Sequence, residues 1–130
     1  MEPLLRYLDA VTIPVPDLSS GMAFYCGALG HQLLWRHDTE GQVGLSTPES
    51  STEIVLSTRL AYEPDWKVKS ADAAAKAFQA YGGEVVLAPV DIPIGRLAVV
   101  RDPFGNRLVV LDSSKGTYRT DDAGNVTGVA

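Results

Sequence analysis

Histidine and cysteine, which are common transition-metal ligands and reactive groups, occur only three times in this 130-residue chain. The two histidines, His31 and His37, are six positions apart, a spacing that matches no metal motif on a single strand. Cys26 is the only cysteine, so an internal disulfide is excluded, and no activating residue stands near it in the sequence. No Ser-His-Asp arrangement, phosphate-binding glycine loop or Cys/His zinc cluster is apparent. We therefore expect Cys26 to be a small buried hydrophobe.

The candidates for a site are one acid, two tryptophans and one arginine. Glu53 stands beside an apolar run and could hold a cationic ligand or act as a general base; otherwise it is a strand-start charge paired with a surface Lys or Arg. Trp35 and Trp66, the only tryptophans, could stack on a planar or cationic ligand, or pack in a core or subunit interface. Arg96 follows a Pro- and Gly-containing loop and could bind an anion, or be a solvated strand-end charge.

Alternating hydrophobicity predicts the elements that must position these residues. Asp17 is a candidate N-cap for a helix that ends at Gly30, and Ser70 is one for a helix that ends at Gly82. The predicted strands are 8–15, 31–38, 42–47 and 52–57 in the first half, and 65–69, 84–89, 96–101 and 107–112 in the second half. Each half therefore has the order strand, helix, strand, strand, strand.

The two halves also align residue by residue. Ala23 and Phe24 match Ala77 and Phe78 at an offset of 54, which indicates two copies of one supersecondary unit. We expect one domain over residues 1–130, with a first module over about 5–57, a linker over 58–64 and a second module over about 65–113. The polar, Gly-rich tail over 114–130 is predicted to be loosely ordered or to lie over a partner subunit.

Bulk properties exclude several classes of partner. The formal charge of −5 disfavours nucleic acid and anionic lipid, so neither is an expected partner. No stretch approaches the roughly 20 apolar residues of a membrane span. No signal peptide is visible, so the cytoplasm is the expected location.

Two segments carry a resemblance to a known family: VTIPVPDLSSGMAFYCGALG at 11–30, and GGEVVLAPVDIPIGRLAVVRDPFGNRLVVLD at 82–112. With its Arg-Asp-Pro-x-Gly-Asn turn at 101–106, the chain resembles the glyoxalase/bleomycin-resistance protein/dioxygenase superfamily, or vicinal oxygen chelate proteins, over roughly residues 5–113. The resemblance implies an α+β fold in which two tandem βαβββ modules form curved mixed sheets around a cavity. It also implies that subunits pair as a homodimer.

The resemblance further implies where a metal would be held in metal-dependent members. Each module gives one ligand from its first strand, usually His, and one from its last strand, usually Glu. Those positions fall here on Ala10, Glu53, a residue near Glu63, and Val109. Alanine and valine offer no electron-pair donor, so at most two of the four positions carry a ligand. We therefore expect neither a metal nor another cofactor.

Three functions stay open. The first is metal-free binding of a small organic molecule, cationic or aromatic, in the sheet cavity. Its expected ligand contacts are Thr12, which shares a face with Ala10, together with Trp35, Glu53, Trp66 and Arg96. The second is a metal-dependent lyase or dioxygenase with a rearranged site that uses Glu53, Glu63 and His37. The third is metal-free acid–base catalysis by Glu53, as in an isomerase.

Overall fold

A computed structural model describes residues 2–130 of the chain. These residues divide into two compact units. One comprises Asp9–Glu63 with Tyr118–Gly128, and we call it the first module; the other comprises residues 2–8, 64–117 and 129–130, and we call it the second module. The C-terminal segment thus belongs largely to the first module. Within the described residues, no helix has the length and apolar character needed to cross a membrane.

The first module has the predicted order of elements. Strand β1 is Tyr7–Pro14, helix α1 is Leu18–Met22 and continues as a π-helical segment Ala23–Ala28, and strands β2, β3 and β4 are Leu33–His37, Gln42–Leu45 and Glu53–Ser57. The strands lie in the order β2-β3-β4-β1, with β1 parallel to β4 and the other pairs antiparallel. The Asp17 carboxylate accepts the Ser20 N–H at 2.7 Å, which confirms the predicted N-cap.

The second module repeats this order. Strand β5 is Glu63–Lys67, helix α2 is Ala71–Ala80, and strands β6, β7 and β8 are Glu84–Ile92, Gly95–Arg101 and Arg107–Leu111. They lie in the order β5-β8-β7-β6, with β5 parallel to β8. The predicted N-cap is confirmed, because Ser70 Oγ accepts the Ala73 N–H at 3.1 Å. The prediction of an α+β fold with two βαβββ modules is therefore confirmed.

Strand β6 is longer than its predicted span of 84–89. Pro89 lies inside it without breaking it, because β6 is the last strand of the row and the pairing with β7 shifts register between Leu87 and Val90. An outer strand needs no N–H donor on its free side, so proline is tolerated there.

Each helix covers one face of its own sheet. In the first module the buried cluster is Leu18, Val43, Leu45 and Leu56. In the second module it is Val68, Ala74, Ala75, Ala98, Val100 and Val110. Successive strand residues point to opposite faces, so the residues between these core positions lie on the face away from the helix.

The C-terminal tail is not loosely ordered between Tyr118 and Val129, so that expectation was wrong there. Strands β9 (Tyr118–Thr120) and β10 (Val126–Val129) form a two-stranded hairpin. Its turn repeats the Asp-x-x-Gly-Asn pattern of residues 102–106. Asp121 Oδ1 accepts the N–H groups of Ala123 and Asn125 at 3.0 and 2.9 Å.

Candidate functional site

The face of the first sheet that points away from helix α1 gathers the residues of interest. Strand pairing places Ala10 opposite Glu53, and Gly44 opposite both Val55 and Trp35. Directly opposed residues in a sheet point to the same side. Neighbouring positions Ile54 and Leu56 belong to the helix-facing core, so this face is the one that α1 leaves uncovered. We call it the first-module site.

Trp35 and Glu53 form the centre of the first-module site. The Trp35 Nε1–H donates a hydrogen bond to Glu53 Oε1 at 2.6 Å, and the bond is partly buried. The indole reaches from β2 to β4 across β3, where it lies against Gly44. A β-carbon at position 44 would overlap the indole, so glycine is what lets the ring lie flat on the strand. Glu53 is therefore a partly buried carboxylate that accepts a hydrogen bond from an aromatic side chain.

Two further rings complete the cluster. The Tyr118 ring, from strand β9, lies with its centroid 5.0 Å from that of Trp35 and 5.6 Å from that of His37. Burial raises the pKa of Tyr118 to about 12, and the negative charges of Glu40 and Glu53 contribute in the same direction. Tyr118 is therefore a neutral phenol at physiological pH, held close to two carboxylates. Aromatic faces beside carboxylates form an environment that favours an organic cation.

The C-terminal hairpin is anchored on the outer edge of strand β2. The Arg36 N–H donates to the Gly124 carbonyl at 2.8 Å, and Arg36 and Asn125 form an isolated parallel bridge. Gly124 has φ +86°, a conformation that favours glycine and closes the hairpin turn. This anchor brings Tyr118 to the site from a distant part of the chain.

Thr12 lies on β1, where it is opposite Val55 on the same face as Ala10 and Glu53. Only 1% of its surface is exposed, so a ligand could reach its hydroxyl only after a movement of the groups around it. The shared face that alternation predicted for Ala10 and Thr12 is thus present.

The other two predicted contact residues, Trp66 and Arg96, lie in the second module and outside this cluster. Trp66 packs against the buried cluster of the second module, and core packing was the alternative to ligand stacking considered for it from the sequence. The Arg96 guanidinium pairs with Asp72 at 3.0 Å and with Asp91 at 3.1 Å, and it also donates to the Pro89 carbonyl at 3.0 Å. Its donors therefore serve the packing of α2 and β6 against β7.

The other histidine and the cysteine, His31 and Cys26, make contacts that are typical of structural residues. His31 Nδ1 lies 2.9 Å from the Ser46 carbonyl oxygen. Cys26 is partly buried and packs against the first core, as a small hydrophobe would.

The four family metal positions can now be placed by strand register. Ala10 is opposite Glu53 in the first module, and the equivalent pair in the second module is Asp65 opposite Val109. Strand register therefore puts the third position, which was expected near Glu63, on Asp65 two residues later. Ala10 and Val109 bear no donor atom, which leaves two carboxylates, Glu53 and Asp65, among the four positions. Over residues 2–130, no three His, Cys, Asp or Glu side chains are grouped so as to hold an ion. This donor set does not fit a divalent metal.

Sequence reasoning missed Tyr118 and Gly44. A signal for Tyr118 was present, because residues 121–125 (DDAGN) repeat the turn pattern of residues 102–106 (DPFGN) and so predict a hairpin that returns the tail to a sheet. Gly44 had no such signal, since only the position of the indole shows why a side chain is excluded there.

Comparisons with known proteins agree with this fold. Residues 7–65 match the family model of the Glyoxalase/Bleomycin resistance protein/Dioxygenase superfamily. No curated protein sequence matches the chain significantly. The first module is therefore similar in sequence to this superfamily. The solved structures below share the fold of the chain over both modules.

Three solved structures illustrate the likeness. A methylmalonyl-CoA epimerase from Mycobacterium tuberculosis has a TM-score of 0.68 at 21% identity, covering 85% of this chain and 90% of its own. A hypothetical protein from Bacillus halodurans has a TM-score of 0.68 at 16% identity, covering 87% and 98%. A Streptomyces coelicolor methylmalonyl-CoA epimerase, in complex with 2-nitronate-propionyl-CoA, has a TM-score of 0.66 at 18% identity, covering 86% and 99%. At these identities the likeness concerns the fold.

Proposed function

We propose that this chain binds a small organic cation at the first-module site, without a metal. The observation that carries the proposal is the Trp35–Glu53 pair, in which an indole and a carboxylate share one sheet face 2.6 Å apart. The indole supplies a flat apolar surface, and the carboxylate supplies a negative charge at its edge. A planar or methylated ammonium ligand matches both groups at once.

The donor set supports binding over metal chemistry. Ala10 and Val109 stand where metal-dependent relatives are expected to place ligands, and their side chains cannot coordinate an ion. The rearranged metal site considered from the sequence needs Glu53, Glu63 and His37 together. Within residues 2–130 these three side chains are not grouped so as to hold an ion, and the His37 ring lies edge-on to Tyr118. We therefore rank metal-dependent lyase or dioxygenase activity second. Metal analysis of protein purified without chelators distinguishes that activity from metal-free binding.

A third candidate is acid–base catalysis by Glu53. The fold is shared with methylmalonyl-CoA epimerases, one of which was solved with a CoA derivative. A half-buried carboxylate on the ligand-facing side of the sheet is suited to move a proton at a bound ligand. In this case Glu53 is the base and Trp35 is a positioning residue that orients it.

The homodimer that the family resemblance implies stays a prediction. Measurement of the mass of the protein in solution tests it.

The experiment is a titration of the full chain with benzyltrimethylammonium, with benzyl alcohol as the neutral analogue. We expect the cation to raise the melting temperature and quench tryptophan fluorescence, and the alcohol to do neither. Trp35→Phe and Glu53→Gln should each weaken binding by roughly tenfold, the order of one cation–π or charge contact. Trp66→Phe is the matched control and should bind as the parent does. If a broader panel of cationic and aromatic compounds also leaves both signals unchanged, the binding function is wrong.

A further inference from the structure

The C-terminal hairpin lies where a ligand of the first-module site would have to lie. The Tyr118 and Trp35 rings have centroids 5.0 Å apart and are tilted by 51°. Carbon atoms in contact are about 3.5–4.0 Å apart, so a flat guest between two rings requires a separation of about 7 Å. In this arrangement no flat guest fits between the two rings, and Tyr118 itself packs against the indole.

From this overlap we infer that the C-terminal hairpin is a displaceable cover over the Trp35–Glu53 pair, and that Tyr118 occupies the place of the ligand's ring. The inference deepens the proposed function and rests on it for the identity of the ligand. It assigns Tyr118 as a residue that competes with the ligand and so sets which ligands bind.

The attachment of the hairpin is suited to displacement. Along the hairpin, Arg119, Thr120 and the turn residues 121–123 are exposed. A two-stranded hairpin on its own is at best marginally stable in water, so its position depends on a small number of anchoring contacts. The contacts that anchor the hairpin on the first sheet include the Arg36–Gly124 hydrogen bond, the bridge between Arg36 and Asn125, and the ring contacts of Tyr118.

Charge indicates which guest displaces the cover most readily. Tyr118 presents a neutral phenol near Glu40 and Glu53. An organic cation in the same place gains attraction to both carboxylates that the phenol lacks, whereas a neutral ring gains nothing over Tyr118. The cover therefore selects for cationic rings: it excludes neutral aromatic compounds, which bind no better than the protein's own side chain.

The test uses the full chain with Trp66→Phe, which leaves Trp35 as the sole tryptophan. We compare Tyr118→Ala with Tyr62→Ala, a change at a side chain that is 69% exposed in the same module. Tyr118→Ala should raise the acrylamide quenching constant of Trp35 at least twofold, and Tyr62→Ala should leave it unchanged. Benzyltrimethylammonium should bind at least threefold more tightly to Tyr118→Ala, because the competing ring is gone.

The results that would contradict the cover differ from those that would contradict the proposed function. Equal quenching in the two tyrosine variants would overturn the cover, and so would weaker binding of the probe to Tyr118→Ala, since Tyr118 would then be a wall of the site. A rise in quenching with no binding of the probe to any variant would support the cover and count against the proposed function. If Tyr118→Ala does not fold, hydrogen exchange of the Arg36 amide in the parent chain decides. Exchange through local opening supports a displaceable cover, and exchange only through global unfolding overturns it.

Discussion

The indole of Trp35 lies directly against the backbone of Gly44, the residue opposite it on the neighbouring strand. The contact lets Trp35 reach across β3 to the Glu53 carboxylate on β4. Three adjacent strands of the first module are thereby linked through one side chain on the face that α1 leaves uncovered. The geometry of the site thus depends on a residue that has no side chain of its own.

Gly44→Ala should displace the Trp35 ring and break its hydrogen bond to Glu53. Overpacking of this kind costs about 1–3 kcal/mol of unfolding free energy. Urea unfolding gives the stability, and the fluorescence maximum of Trp35 in a Trp66→Phe background reports the movement of the ring.

Gly27→Ala is the matched control for this substitution. A β-carbon at position 27 meets no atom within 4 Å, and the residue lies in the π-helical segment of the same module. Its stability should be unchanged or slightly higher, because alanine favours helical backbone. Equal loss of stability in both variants would show that the indole contact is not the cause.

Asp112 should make the second module sensitive to acid. Its carboxylate accepts the N–H groups of Ala71, Arg96 and Ser114 at 2.8, 2.9 and 3.1 Å. Burial opposes ionisation of Asp112, but these hydrogen bonds outweigh it and lower its pKa. A carboxyl group with a lowered pKa in the folded state stabilises the fold above its unfolded pKa of about 3.9, and that contribution is lost as the pH falls through the folded pKa.

We therefore expect Asp112→Asn to lose about 1–3 kcal/mol at neutral pH, the cost of a buried donor left without its acceptor. The difference from the parent should shrink as the pH falls below about 3.9 and through the lowered pKa of the folded state, where the parent carboxylate is itself protonated. Denaturant unfolding at several pH values measures both effects. Asp122→Asn, at an exposed position of the hairpin turn, should show neither.

The helices, strands and caps followed from the sequence because they depend on local patterns. Asp17 and Ser70 cap their helices through contacts only three residues away, and alternation placed each strand to within a few residues. The face shared by Ala10, Thr12 and Glu53 could also be predicted, since β1 and β4 have regular alternation.

The centre of the site could not be predicted in the same way. The contact between Trp35 and Glu53 depends on the register of two strand pairs, and the contact with Tyr118 joins positions far apart in the chain. For the same reason the sequence placed the third metal position only near Glu63, whereas the pairing of β5 with β8 puts it on Asp65. Trp66 illustrates a different case. Its residue type suggested a ligand contact, but the side chain packs against the core of the second module.

Tyr118 should titrate well above the usual range of a phenol. Its pKa is raised to about 12, whereas an unperturbed phenol has a pKa of about 10. The neutral form is the stabilised one, so this contribution is present below about pH 10 and is lost as the pH rises through about 12. Absorbance of ionised phenol against pH should show one late step that Tyr118→Phe removes, and Tyr81→Phe, at a 75% exposed position, should leave that late step in place. If the late ionisation step persists in Tyr118→Phe, the burial of the Tyr118 ring is contradicted.

The two Asp-x-x-Gly-Asn turns provide a matched pair for testing how the hairpin is held. Asp121 and Asp102 each accept the N–H of the Asn four residues later at 2.9 Å, and each has a lowered pKa, for Asp121 chiefly through that backbone hydrogen bond. Asp121→Ala should loosen the C-terminal hairpin, so that the Arg36 amide, which donates to Gly124, exchanges its hydrogen at least threefold faster. Asp102→Ala removes the same acceptors from the turn between β7 and β8, and the Arg36 amide should then exchange as in the parent. If both variants accelerate exchange equally, the Arg36 amide reports overall stability, and the hairpin is not an independently opening unit.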